Sequence, residues 1–209
     1  MDRAVVINLD RRPERWEAFC EGLPRPWALP VPGRFSAFDG RQIAVPEWWQ
    51  SGPGGYGCML SHMTVWEEAA EEDQTLWVFE DDAIFCEDFA ARLADFLAAV
   101  PSDWEMLYIG GKHCLPPTDI GNGVLRCLGV KAMHAYAVRG EPLRRLPPLL
   151  RQKPIHFDAE LALLHHAMRV YAPTRWFCGQ AAGVSDILNG CSERGEPVRW
   201  FHDYRENAA

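Results

Sequence analysis

The chain has 209 residues, of which 48% are hydrophobic and 24% are charged; acidic residues outnumber Lys and Arg by 29 to 21, for a formal net charge of −8. This is the composition of an ordinary globular protein that is long enough to fold without disulfides or metals. Because phosphate contacts need a cationic face, the charge argues against a nucleic-acid partner and against electrostatic docking on an anionic membrane.

No stretch approaches the roughly 18 apolar residues of a membrane span, and the first apolar run is too short for a secretory signal. The seven cysteines are widely spaced and form no C-x-x-C pair. They predict reduced, mostly buried thiols rather than a zinc ribbon or a disulfide scaffold. We therefore expect one domain over residues 1–209, cytoplasmic and without a transmembrane segment, with peripheral membrane contact left open.

The first elements follow a strand–turn–helix order. Ala4–Leu9 is a short apolar, β-branched run that predicts a buried strand. Pro13 fits the first turn of a helix that runs to about Gly22. The stretch from there to Gly57 is rich in Pro, Gly and Trp, which predicts an ordered loop with one short strand at Phe35–Phe38.

The remainder of the chain alternates between helical and strand patterns. A helix is predicted from Ser61 to about Asp73, followed by a fully apolar central strand at Leu76–Phe79. The tail after Gly179 is predicted to be irregular. The other predicted elements are a helix at Asp88–Val100, strands at Met106–Ile109, Val124–Leu128 and His134–Val138, a helix at Phe157–Ala167 and a strand at Arg169–Ala172.

This alternation predicts an α/β fold with a mostly parallel central sheet flanked by helices on both faces. Ligands of such sheets bind beyond the carboxyl ends of the strands. We therefore expect three strand ends, at residues 10–12, 80–82 and 110–111, to meet at one edge.

Three consecutive carboxylates, Glu80, Asp81 and Asp82, end the apolar central strand. They repel one another, and a divalent cation such as Mg²⁺ or Mn²⁺ would compensate them. An exposed turn or a helix N-cap is the alternative, but the buried strand before them favours a site. On an extended backbone Glu80 and Asp82 point the same way, so either both bind the metal, or Asp82 binds it while Glu80 contacts a sugar hydroxyl.

Further candidates are a basic cluster and one helix-terminal acid. The cluster of Arg11, Arg12 and Arg15 lies at a strand-to-helix junction, where helix N–H groups also favour anions such as nucleotide phosphates. Taken alone, however, the cluster is better explained by exposed arginines that pair with Glu14 or Glu17. Asp158 lies near the start of a predicted helix, where it could act as a general base or merely complement the helix dipole.

Several segments, taken in order, carry a resemblance to a known family: VINLDRRPERWEAF, GCMLSHMTVWEEA, LWVFEDDAIF, LYIGG, AYAV and QAAGVSDI. Together they resemble glycosyltransferase family 25, which includes lipopolysaccharide and lipooligosaccharide glycosyltransferases and collagen galactosyltransferases. The resemblance runs from Val5 to Ile187, nearly the whole chain.

The resemblance implies a GT-A-like fold and an inverting hexosyltransferase. Such an enzyme would use a divalent metal (Mn²⁺ or Mg²⁺), a nucleotide-sugar donor, typically a UDP-sugar, and a saccharide or glycoconjugate acceptor, for instance in lipopolysaccharide biosynthesis at the inner membrane. Asp158 would be the base, and Glu80, Asp82 and a C-terminal ligand, His202, would hold the metal. The implied nucleotide-sugar contacts are Asn8, Arg12, Arg15, Ser61, His62, Glu80, Asp81, Gln180, Ser185 and Asp186.

Two other functions use the same residues. A metal-dependent phosphoesterase or nucleotidyltransferase would hydrolyse or transfer nucleotides without a sugar preference. A non-catalytic member of the fold would bind a nucleotide or a partner protein without turnover. The donor sugar, the acceptor, the linkage and the oligomeric state do not follow from the sequence.

Overall fold

The computed structural model describes residues 2–187 and the backbone of residues 193–194. The helices are α1 (Pro13–Glu21), α2 (Gly52–Glu71), α3 (Phe89–Ala99), α4 (Glu141–Leu150) and α5 (Phe157–Leu164), the last continued by a 3-10 turn at His165–Ala167. The strands are β1 (Asp2–Asn8), β2 (Gly33–Ser36), β3 (Thr75–Glu80), β4 (Ala83–Phe85), β5 (Met106–His113), β6 (Thr118–Gly121), β7 (Val124–Arg126), β8 (Val130–Val138), β9 (Val170–Pro173), β10 (Cys178–Gln180), β11 (Gly183–Val184) and β12 (Glu193–Arg194).

An eight-stranded sheet in the order β2-β1-β3-β8-β5-β9-β7-β6 forms the centre of the fold. β1 pairs in parallel with both β2 and β3, and β5 pairs in parallel with β9. β8 lies antiparallel between β3 and β5, and β7 lies antiparallel between β6 and β9. The other six strands of the sheet therefore share one direction, which confirms the predicted α/β class with a mostly parallel sheet.

Both faces of the sheet are covered by helices. Along β3, Val78 faces the core formed with α2, α4 and α5, whereas Trp77 and Phe79 face the core formed with α1 and α3. All three side chains are at most 1% exposed. A strand that is covered on both sides needs apolar residues at every position, which is why the LWVF run predicts it well.

Helix α2 begins nine residues before its predicted start, because its glycines serve packing. Pro53 occupies the first turn, where its missing N–H costs nothing. A Cβ on Gly57 would lie 2.2 Å from the carbonyl oxygen of Phe38, and one on Gly54 would lie 2.2 Å from that of Asp186. These glycines let other backbone segments lie directly against the helix. No helix of the described residues is long and apolar enough to span a membrane.

Other departures from the sequence predictions also involve Gly and Pro. β5 runs through Gly110 and does not end there. The glycine serves packing inside the strand, since a Cβ at that position would lie 2.4 Å from His134 Nε2. Helix α4 was not predicted, since it contains Pro147 and Pro148, yet its buried leucines recur at helical spacing. β4, β6, β10, β11 and β12 were also not predicted, and β11 and β12 lie in the tail after Gly179 that was predicted to be irregular.

The six cysteines among the described residues form no disulfide, but fewer of them are buried than the composition suggested. Cys127 and Cys178 are buried, Cys114 is exposed, and the other three are half-buried.

We expect Gly57→Ala to lower the free energy of unfolding by about 1–3 kcal/mol, as overpacked sites do. Alanine is the better helix former by about 1 kcal/mol, so a loss of stability isolates the clash with Phe38. Urea unfolding measures the change. Gly33→Ala is the control, because a Cβ there meets nothing within 4 Å. Equal stability of Gly57→Ala and the wild type would contradict the packing described here.

Candidate functional site

A cavity of about 660 Å³ opens where β1 and β3 end. Its other walls come from the first turns of α2 and α5, from the segment 131–133 of β8 and from the segment 185–187. The cavity therefore lies beyond the carboxyl ends of parallel strands, as expected for this type of sheet. The predicted site residues in its lining are Arg15, Ser61, His62, Glu80, Asp81, Asp82, Asp158, Gln180, Ser185 and Asp186.

Asn8, Arg12 and residues 110–111 do not lie in this lining, and a fourth expectation falls on a residue that the structure does not describe. Asn8 and Arg12 lie behind the lining and contact groups within it. Residues 110–111 do not end a strand at this edge, and β8 supplies the wall instead. His202 lies outside the described residues.

Arg15 supplies a counter-charge for the acidic cluster. Its Nη2 lies 2.6 Å from Asp81 Oδ1 and 3.2 Å from Asp82 Oδ2. Gln180 Nε2 donates to Asp82 Oδ1 at 3.4 Å. The repulsion that the three carboxylates predict is thus relieved in part by the protein itself.

Asn8 fixes the end of β1 against the end of β3. It is 1% exposed, and its Nδ2 donates to Asp81 Oδ2 at 2.6 Å and to the carbonyl oxygen of Arg12 at 3.0 Å. Its Oδ1 accepts from Arg34 Nε at 2.7 Å. With all these bonds made within the protein, Asn8 positions Asp81 and the chain entering α1.

Burial and charge act differently on neighbouring acids. Burial raises the pKa of Asp81, although Arg15 and the hydrogen bond from Asn8 oppose the shift. Burial also acts to raise the pKa of Glu80, but a hydrogen bond and charge interaction with His62 hold it below its ordinary value. Glu80 therefore remains an anion in the wall of the cavity.

His62 lies on the side of α2 that faces both the core and Glu80. Trp66 Nε1 donates to the hydroxyl oxygen of Tyr136 at 2.7 Å, and that hydroxyl lies 2.8 Å from His62 Nδ1. His62 Nε2 lies 3.4 Å from Glu80 Oε1. Ser61 lies in the middle of α2, where its hydroxyl donates to the carbonyl oxygen of Gly57 at 2.7 Å.

Asp186 is held by the basic cluster. Arg11 Nη2 lies 2.8 Å, Arg12 Nε 3.0 Å and Arg15 Nη1 3.6 Å from its carboxylate oxygens. Burial acts to raise the pKa of Asp186, but hydrogen bonds from Arg12 and Arg11 lower it overall. Arg12 also lies 3.5 Å from Glu14, so the exposed pairing considered for this cluster is present as well.

Asp158 faces the cavity from the first turn of α5. Its Oδ2 accepts from the backbone N–H of Ala132 at 3.2 Å. Ala132 has a φ of 65°, a left-handed conformation uncommon for alanine. The bond fixes the orientation of one carboxylate oxygen.

Cys58 also lines the cavity. The sequence predicted it only to be a reduced thiol, without a role in the site. It lies one helical turn before His62, and its Sγ, a ring nitrogen of His62 and a carboxylate oxygen of Glu80 lie within 4.8 Å of one another. Burial raises the pKa of Cys58 well above its ordinary value, and the charges of Glu80, Asp158 and Asp82 add to the shift. The C-x-x-S-H spacing, which places both side chains on one helix face, was the available signal.

The acidic cluster fits a divalent cation by the chemistry of its donors. Glu80 and Asp82 present carboxylate oxygens to the cavity, the ligands that Mg²⁺ and Mn²⁺ prefer. Arg15 is the cation nearest to Asp81 and Asp82 among the contacts described above. The third expected ligand, His202, is outside the described residues.

Comparison with known proteins identifies a matching family model and several similar proteins. The family model for glycosyltransferase family 25 (LPS biosynthesis protein) matches residues 51–117, which include α2 and the three acids. "Inactive glycosyltransferase 25 family member 3" of Homo sapiens is 32% identical over 192 residues, covering 75% of this chain and 32% of that protein. "Procollagen galactosyltransferase 1" of Danio rerio is 27% identical over 146 residues, covering 61% of this chain and 23% of that protein.

The structure shows an α/β protein with a mostly parallel central sheet. The chain belongs to glycosyltransferase family 25. It spans about a third of the length of the human relative, and the two relatives differ in whether their names describe an active enzyme. Among solved structures, that of A197 from STIV aligns with a TM-score of 0.47 and 12% identity over 89% of this chain and 87% of that one, which is a weak similarity.

We expect Arg15→Met to lower the free energy of unfolding by about 2–3 kcal/mol, because it removes hydrogen bonds to two charged groups, of which Asp81 is nearly buried. Adding Asp81→Asn should recover part of the loss, since the uncompensated charge is then gone. Chemical unfolding of the single and double variants measures both effects. Arg92→Met is the control: it breaks a solvent-exposed helical pair with Asp88 and should cost less than about 0.5 kcal/mol. An equal cost for both arginines would contradict this role.

Proposed function

We propose that this chain is a catalytic glycosyltransferase domain that moves a hexose from a nucleotide sugar, a UDP-sugar in the first instance, to a hydroxyl of a saccharide or glycoconjugate. The observation that carries the proposal is the cavity that combines carboxylates, arginines and Asp158. Its volume of about 660 Å³ lies within the range of roughly 300–1,000 Å³ of small-molecule sites.

The arginines would bind and stabilise the leaving group. Arg11, Arg15 and Arg41 line the cavity and offer planar guanidinium groups that suit phosphate oxygens. As the bond between the anomeric carbon and the donor oxygen breaks, its electron pair goes to the diphosphate, and fixed positive charge lowers the energy of that change.

Asp158 would act as the general base. One oxygen is held by the backbone N–H of Ala132, which orients the other for a ligand. It would take the proton of the acceptor hydroxyl as the new glycosidic bond forms. Attack from the face opposite the departing diphosphate inverts the anomeric centre.

A divalent cation of the Mn²⁺ or Mg²⁺ class would be held by Glu80 and Asp82. When bound, it would supply positive charge for the diphosphate. Two acceptor classes deserve trial, because the family description names LPS biosynthesis and one relative is a procollagen galactosyltransferase.

A second candidate is a non-catalytic member that binds the nucleotide without turnover. The observation that favours it is the similarity to family members whose names describe them as inactive. Both proposals predict nucleotide binding, and only the first predicts transfer.

The experiment that separates them starts with thermal unfolding in the presence of UDP, UDP-sugars, GDP-sugars and CMP-sugars, each with Mn²⁺ or EDTA. A ligand at about 100 times its Kd adds roughly 2.7 kcal/mol of stability. The stabilising donor is then assayed for transfer to saccharide and collagen-type acceptors. Binding with transfer supports the enzyme, binding without transfer supports the second candidate, and no binding contradicts both. Nucleotide hydrolysis without a sugar preference would instead indicate a phosphoesterase.

Asp82→Ala is expected to abolish the Mn²⁺-dependent part of donor binding and to reduce transfer to the background level, because it removes a carboxylate ligand. Calorimetric titration of UDP with and without Mn²⁺ measures the first effect. Asp95→Ala is the control, since this acid is exposed on α3. Full activity of Asp82→Ala would refute the metal assignment.

Asp158→Asn is expected to reduce kcat about 10²- to 10⁴-fold, the usual contribution of a general base, while donor affinity stays within twofold. The amide oxygen can still accept from Ala132, so the local fold is retained. Glu160→Gln is the control, because this acid lies on the same helix outside the cavity and pairs with Lys153. Unchanged kcat in Asp158→Asn would remove it as the base.

A further inference from the structure

Three different ligand types converge in the cavity wall near the carboxylates. Cys58 Sγ, a ring nitrogen of His62 and a carboxylate oxygen of Glu80 lie within 4.8 Å of one another, and all three residues line the cavity. Cys58 and His62 are four residues apart on α2 and so project from one face of the helix. Glu80 approaches them from the end of β3.

The His62 ring is already oriented by a buried partner. Trp66 Nε1–H can only donate, so the Tyr136 oxygen accepts from it at 2.7 Å. The Tyr136 hydroxyl also contacts His62 Nδ1 at 2.8 Å. This leaves Nε2 directed at Glu80. Metal-binding histidines are oriented in the same way, through a hydrogen bond at the other ring nitrogen.

The donor set differs in chemistry from the neighbouring aspartates. Sulfur, imidazole nitrogen and one carboxylate suit zinc-class cations, whereas Mg²⁺ and Mn²⁺ prefer oxygen alone. Bonds of about 2.3 Å to sulfur and about 2.0–2.2 Å to nitrogen and oxygen place tetrahedral ligands about 3.3–3.7 Å apart. Side-chain movements of about 1 Å would therefore close the cluster around an ion.

We propose that Cys58, His62 and Glu80 form a binding site for a thiophilic divalent cation of the zinc class, which shares Glu80 with the proposed Mn²⁺ or Mg²⁺ ligands but does not use Asp82. The Cys58 thiol loses its proton to solvent as the metal–sulfur bond forms. His62 would bind the metal through Nε2, and any proton on that nitrogen would go to solvent, while Nδ1 keeps its contact with the Tyr136 hydroxyl. Three protein ligands leave a fourth position open toward the cavity, as in sites that hold water or substrate. This inference goes beyond the proposed transfer reaction and does not depend on it.

The test is metal binding by the untagged full chain, without any sugar substrate. Co²⁺ is the probe, because a cobalt–thiolate bond gives a near-ultraviolet charge-transfer band and a tetrahedral site gives visible bands. We expect one Co²⁺ per chain with both signatures, and displacement by Zn²⁺. Absence of the charge-transfer band, or exclusive binding of Mg²⁺ and Mn²⁺, would overturn the proposal.

Variants then assign the ligands. Cys58→Ser should abolish the charge-transfer band, whereas Cys114→Ser, which changes an exposed cysteine, should retain it. Asp82→Ala should also retain it, which separates this site from the oxygen-only one. Tyr136→Phe should weaken Co²⁺ binding about tenfold, the usual cost of losing a group that orients a ligand. A band that survives Cys58→Ser would refute the assignment.

X-ray absorption of the Zn²⁺-loaded wild type keeps the proposal testable if a variant does not fold. One sulfur at about 2.3 Å, with nitrogen and oxygen neighbours at about 2.0–2.2 Å, is expected. A shell of nitrogen and oxygen alone would overturn it.

Discussion

Three consecutive carboxylates at the end of a buried strand impose the main constraint on this structure. The strand itself cannot move to solvent, because both of its faces are covered by apolar side chains. The charge must therefore be compensated where it stands, and α1, β1 and α2 each contribute a side chain for this purpose: Arg15, Asn8 and His62. The cavity lies where these elements meet, so the same contacts both stabilise the fold and shape the cavity.

This double role bears on relatives that are named inactive. Asp81 is nearly buried, and Asn8 and Arg15 hold both of its oxygens. In this chain Asp81 therefore stabilises the contact between β1, β3 and α1 independently of any turnover. Intact acids in the motif therefore indicate the fold more directly than they indicate catalysis. Asp158 contacts only a backbone N–H among the described hydrogen bonds, which makes it the more informative position.

The sequence predicts those parts of the fold in which local pattern and tertiary environment agree. β1, α1, β3 and α3 follow from apolar runs and helical spacing, and strand order alone predicts that the acids lie at the edge where β1 ends. Asp158 was a candidate only from its position at a helix start and from the family resemblance. The first turns of α2 were missed because Gly57 resembles a helix breaker locally, while its actual role is close contact with the distant Phe38. Cys58 and His62 lie close to Glu80 because α2 packs against β3. A contact between distant segments of this kind cannot be predicted from a local sequence pattern.

The salt bridges of Asp186 give the cavity an internal anion. Its carboxylate forms ion pairs with Arg11, Arg12 and Arg15. A phosphate group that binds the same guanidinium groups must therefore displace this carboxylate. Such an exchange lowers the apparent affinity for the ligand by the fraction of time for which the arginines are engaged. The same carboxylate can re-form its ion pairs as a diphosphate leaves, which favours release over retention. Asp186 thereby sets how readily these arginines become available to another anion.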